Sequence, residues 1–181
     1  RAASGAPGAE YWQQKVDYAI DVALDETENR ITGRERITYH NQSPDTLSYL
    51  WVQIDPNLIS PASHGALSQL APELTSMAYG QMHSILHKLD FDGSCTIIGV
   101  TDGAGEDLPH TINDTMMRVD LPEPLVSGAS TSFHIGWTYL INHSKKLRAR
   151  TGYEEYADGT RLYEIAQWFP RLCAYTDYAG W

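Results

Sequence analysis

Most of the features that usually announce a function are scarce in this sequence. It has two cysteines, Cys95 and Cys173, too few for a disulfide framework or a zinc ribbon. The residues are compatible with one bridge in an oxidising compartment and equally with two separate buried thiols. No apolar run approaches the roughly 18 residues that cross a bilayer as a helix, so no membrane span is expected. Basic residues are few: 13 Lys and Arg stand against 23 Asp and Glu, a formal net charge of -10. That balance argues against a nucleic-acid partner, which needs a basic surface to release counterions. There is no Walker-type loop, dinucleotide fingerprint, G-x-S-x-G elbow, internal repeat or heptad.

Alternation is what the chain does have. Over residues 15–24, Val16, Tyr18, Ile20, Val22 and Leu24 alternate with Asp17, Ala19, Asp21 and Ala23, the period of a half-buried strand. The polar run DETEN then turns the chain, and over 31–40 Ile31, Gly33, Glu35, Ile37 and Tyr39 share one face. The two segments read as a hairpin. After NQSPDT, residues 47–54 place Leu47, Tyr49 and Trp51 at alternate positions, predicting a third consecutive antiparallel strand. Residues 95–100 are short and β-branched. Residues 116–121 alternate again (Met117, Val119, Leu121), with Pro122 and Pro124 expected to close the strand. Over 132–141, Phe133, Ile135, Trp137 and Tyr139 form one apolar face. Residues 61–70 and 79–89 carry apolar residues at spacings of three and four, which suits short helices. The fold class is therefore all-β, a mainly antiparallel sheet or sandwich with one or two short helices.

The first ten residues, RAASGAPGAE, read as a flexible leader of an exported mature protein, periplasmic, envelope-bound or extracellular. Residues 11–181 form the β domain. Asn41, Asn113 and Asn142 each head an N-x-Ser/Thr sequon. The one basic cluster, Lys145, Lys146, Arg148 and Arg150, has no aromatic platform or Gly-rich cradle and reads as a solvated loop.

Candidate chemistry is sparse. His83 and His87 stand in HSILH, a spacing by which two imidazoles on one helix face grip zinc, and eighteen residues separate His87 from Glu106. However, Ser84 takes the place of the glutamate that such a site needs as general base. We read the pair as surface or interface histidines and assign no metal ligand to this chain. The carboxylate pairs Glu154 with Glu155 and Asp90 with Asp92 read as solvated loops, and Tyr153, Tyr156 and Tyr163 as residues packed across strands.

The segment 163–181, YEIAQWFPRLCAYTDYAGW, is dense in Trp, Phe and Tyr. Such side chains bury large areas, so the segment is expected to lie against a surface not wholly contained in this sequence. Three pieces taken in order resemble the N-terminal β domain of the zinc aminopeptidase family that includes aminopeptidase N and leukotriene hydrolase. They are YAIDVALDETENRITGRERITYHNQSPDTLSYLWVQIDPN, LPEPLVSGASTSFHIGWTYLIN and the terminal segment, whose AQWFPR core is most similar to the bacterial branch.

The resemblance implies a non-catalytic domain or fragment of a peptidase that removes N-terminal residues with a zinc-activated water. It also implies that zinc and the HExxH helix belong to a missing catalytic domain, and that further strands complete this one. This chain has no catalytic residue or cofactor under that reading. Its expected partners are the catalytic domain, a peptide substrate and, through an open sheet edge, a second copy. In the family a Gln or Glu upstream of an Arg binds the substrate amine. Gln167 stands four residues before Arg171, whereas the family spacing is five, so a local bulge is needed to bring Gln167 into place. Glu164 is the second candidate. The competing readings are a stand-alone β-sandwich module for peptide or glycan, and an inactive family member that serves as a scaffold.

Overall fold

The computed structural model describes residues 3–68, 76–147 and 149–181. Strands β1 (Lys15–Asp25) and β2 (Arg30–His40) pair antiparallel from Lys15↔His40 to Asp25↔Arg30. Their turn is closed by the Asp25 carboxylate, which accepts from the Thr27 and Glu28 N–H groups, and by Asn29 at φ 50°. Asn tolerates that left-handed conformation better than most residues.

The expected third partner of this hairpin is elsewhere. Strand β3 (Leu47–Gln53) crosses to a second sheet. The neighbour of β2 is instead β7 (Ser130–Leu140), which in turn pairs with β4 (Thr96–Asp102), so the first sheet runs β1-β2-β7-β4. The second runs β10-β3-β6-β5, with β5 at His110–Asn113, β6 at Met116–Leu125 and β10 at Arg171–Leu172. A separate hairpin joins β8 (Thr151–Glu155) to β9 (Arg161–Ile165). Every strand pair is antiparallel.

The two four-stranded sheets enclose one core. Ile37, Phe133, Ile135 and Trp137 from the first meet Leu50, Val52, Met117 and Val119 from the second, all essentially inaccessible. This is a β-sandwich, and it hides the apolar face expected for β7. On β2 the Trp137 ring covers Gly33, its register partner; a Cβ at Gly33 would lie 2.3 Å from that ring. Glycine is required there because of the close approach, not because of its backbone angles.

β3 departs from simple alternation. Its pairing with β6 shifts between Leu47↔Leu125 and Tyr49↔Asp120, and past this bulge Leu50, Val52 and Ile54 are buried. Tyr49 and Trp51, expected to share the face of Leu47, turn out to its other side. The same irregularity explains why β6 continues through Pro122 and Pro124 instead of ending before them. Both prolines fall in the stretch without register partners, where no ladder N–H is needed.

Of the two expected helices, the second is α2 (Tyr79–Leu89), started by the Gln81 side chain accepting from the Ala78 N–H. The first shrinks to α1 (His64–Leu67), capped by Ser63; residues 69–70 of that expectation lie outside the described residues. The 163–181 segment also differs from expectation, because much of its aromatic surface is covered by this chain itself. Trp168 packs on Trp137, Phe169 edge-on to Tyr18, Tyr175 on Trp12, and Trp181 against Tyr39 and Tyr49. Tyr178 is 76% exposed. Both cysteines are free thiols, Cys95 buried and Cys173 half-buried.

Candidate functional site

The terminal segment returns along β3, where Arg171 and Leu172 pair with Gln53 and Val52. Further bonds hold the approach to this short strand. The Tyr139 hydroxyl donates to the Trp168 carbonyl, the Thr151 hydroxyl to the Ala166 carbonyl, and the Leu172 N–H to the Tyr18 oxygen. Between the first two lies Gln167, a non-glycine residue at φ 53°. That conformation is costly for a side chain with a Cβ and persists only where the surroundings impose it.

Gln167 meets Asp55, a residue 112 positions away in the chain. Asp55 opens the 3-10 turn Asp55–Ile59 just after β3, and the residue is buried. Its Oδ1 accepts from the side-chain amides of Gln53 (2.9 Å) and Gln167 (3.2 Å). Its Oδ2 accepts from Nε of Arg171 at 2.9 Å. A carboxylate 6% exposed is thereby balanced by a guanidinium 39% exposed and by two amides, the arrangement a buried charge requires. The bond to Asp55 also raises the pKa of Arg171 above its ordinary value.

Asp55 and Gln167, together with Arg150 and Thr151, form the polar side of a cavity of about 270 Å³ whose apolar side includes Pro56, Ile59, Tyr139 and Ala166. Such a cavity, apolar with a few convergent polar groups, is suited to one small side chain beside a charged or hydrogen-bonding head. Glu164, the second candidate, is not in it. That residue lines a larger cleft of about 860 Å³ with Lys145, Arg150 and Glu154. The segment 149–151 borders both cavities and separates the two candidates.

The remaining sequence candidates disperse. The His83 and His87 rings stack 5.8 Å apart on α2, and among the described residues no group of three His, Cys, Asp or Glu side chains could hold a metal ion. The donor set does not fit a zinc site, and no zinc chemistry is derived from this chain. Tyr153 and Tyr163 are register partners with rings 5.6 Å apart, while Tyr156 is exposed in the turn beyond them. Glu154, Glu155, Asp90 and Asp92 are solvent-facing. Two sequons are closed to modification in the folded chain: Asn41 and Asn142 are buried, and the Asn41 amide donates to the Asp45 and Leu125 carbonyls. Asn113 is exposed. Of the basic cluster, Lys145 and Arg150 line the larger cleft, Lys146 lies over Phe91, and Arg148 is outside the described residues.

Two charged residues matter that motif reading did not single out. Asp55 carried no signal beyond standing beside Pro56 at the end of a strand. Glu35 carried one: it is a charged residue at an apolar-face position of β2. It is 1% exposed, and neither carboxylate oxygen has a hydrogen-bond partner among the described residues. Burial alone pushes its pKa up to about 8, so the side chain is held protonated at neutral pH. Burial, reinforced by Glu35, pushes the Cys95 thiol up to about 12.

No family model matches this chain, and no curated protein matches it.

Proposed function

We propose that this chain is a non-catalytic wall of a zinc aminopeptidase, and that Gln167 and Asp55 receive the free amino terminus of a peptide. The observation that carries the reading is Gln167 itself: a residue in a strained conformation, tied to a buried carboxylate and lining an apolar cavity. Strain of this kind is maintained where pre-organisation is useful. The Gln167 amide nitrogen is committed to Asp55, which leaves the amide oxygen as the acceptor for an ammonium. The adjoining apolar surface of Pro56, Ile59 and Tyr139 would take the first side chain of the peptide. Zinc and the water it activates would come from the catalytic domain, and this chain would contribute alignment only.

The test is a titration followed by the fluorescence of Trp168, adjacent to Gln167. Short peptides with a free amino terminus should perturb it at millimolar concentration, and the same peptides N-acetylated should not. Gln167→Ala should remove the difference. Equal responses to free and acetylated peptides would reject the amine site. In the parent enzyme Gln167→Ala should raise KM about tenfold, the loss of one hydrogen bond to a charged group, with kcat little changed.

A further inference from the structure

The first sheet has one long, regular edge, protected only by the charges of Lys15, Asp17, Asp21 and Asp25. β1 runs for eleven residues without proline and in unbroken register with β2, and among the described residues no strand pairs with its other side. Long, regular, unpaired edges are templates for another strand. The other edges are poorer. β4 is bulged between Ile97 and Gly99 and partly covered by the Thr101↔Asp107 bridge, β5 has four residues and β10 has two. The core face of β1 also loses its cover along its length: Val16, Tyr18 and Ile20 are half-buried, whereas Val22 and Leu24 are 50% and 40% exposed.

We propose that the free edge of β1 pairs antiparallel with β1 of a second copy of this chain, about a two-fold axis through Ile20. In that register each exposed apolar residue meets an apolar one, Leu24 opposite Val16 and Val22 opposite Tyr18, with Ile20 opposite itself. Every aspartate meets a neutral or basic residue: Asp17 faces Ala23, Asp21 faces Ala19 and Asp25 faces Lys15. A slip of one residue would set the apolar face against the solvent face. A slip of two would place Asp17 opposite Asp21 in one direction, or Asp17 opposite Asp25 and Asp21 opposite itself in the other. Like charges directly opposite are destabilising. Across β1 and β2, Asp21 and Asp25 stand opposite Arg34 and Arg30 in register, and Asp17 is held by Lys15 and His40 at 2.8 Å. Val16 also borders a recess of about 320 Å³ with Trp12, Leu172 and Tyr175. Leu24 of the second copy arrives beside that recess. The two sheets thereby become one eight-stranded sheet across the dimer, by a surface separate from the Gln167 cavity and independent of any peptide binding.

Sedimentation velocity over a concentration series tests the pairing. The wild-type chain should dimerise, with a dissociation constant on the order of 10–100 µM for an interface of this small size. Ala23 is exposed and its side chain makes no bond, so substitutions there leave folding intact. Ala23→Lys, facing Asp17 twice per dimer, should tighten association about fivefold, and Ala23→Asp should weaken it about fivefold. The same substitutions at Ala157, exposed in the distant β8–β9 turn, control for net charge and should have no such effect. A chain that remains monomeric throughout the series would overturn the proposal. So would a dimer indifferent to the sign of the charge at Ala23.

Discussion

At the scale of single residues, Glu35 is the least compensated group in the core. Its folded-state pKa is raised from an ordinary 4.5 to about 8 by burial. Between those values the unfolded chain is ionised at this position while the folded chain still binds the proton, so stability falls as pH rises. The loss starts near pH 4.5, is complete near pH 8 and amounts to on the order of 5 kcal/mol. Urea denaturation from pH 4.5 to 9 should show this decline in wild type, and Glu35→Gln should flatten it. A parallel decline in the variant would assign the pH dependence to other groups. Gly33 supports a second prediction at the same scale. Gly33→Ala drives a methyl into the Trp137 ring and should cost about 3 kcal/mol, read as a lower urea midpoint with unchanged slope.

At the scale of elements, the two residues of β10 hold the terminal segment on β3, and their backbone pairing is brief. The Asp55–Arg171 pair adds a side-chain tie to the same segment. Arg171→Ala leaves the Asp55 carboxylate with only the two glutamine amides and should destabilise the chain by about 2 kcal/mol, discounted from a fully buried pair because Arg171 is partly solvated. Adding Asp55→Asn should recover part of that loss, since the uncompensated charge is gone. A double variant as unstable as the sum of the singles would mean that the two groups do not interact. Hydrogen exchange at the Leu172 and Cys173 amides, bonded to the Tyr18 hydroxyl and the Trp51 carbonyl, should accelerate in Arg171→Ala before that of β2 or β7.

At the scale of the whole molecule, the two thiols report on folding from opposite positions. Cys173 is half-buried, and burial raises its thiol even though Arg171 opposes the shift, while Cys95 is more deeply buried with its thiol pushed up to about 12. A thiolate reagent should label Cys173 in the native chain and Cys95 only as the chain opens globally, and both should react at once in denaturant. The sequence by itself determined the elements whose patterns are local: the β1–β2 hairpin, the apolar face of β7, helix α2 and the all-β class. Period two and period three-to-four need only neighbouring residues to be legible. It also placed Glu35 on a core face, though without its consequence. The tertiary structure alone decided that β3 leaves the first sheet, that a bulge turns Tyr49 and Trp51 away from the core and carries β6 through two prolines, and that the terminal aromatics find cover within this chain. It alone brought Gln167 to Asp55. These outcomes depend on pairing between segments far apart in sequence, where register and burial are settled by the partner strand, and no local pattern records the partner.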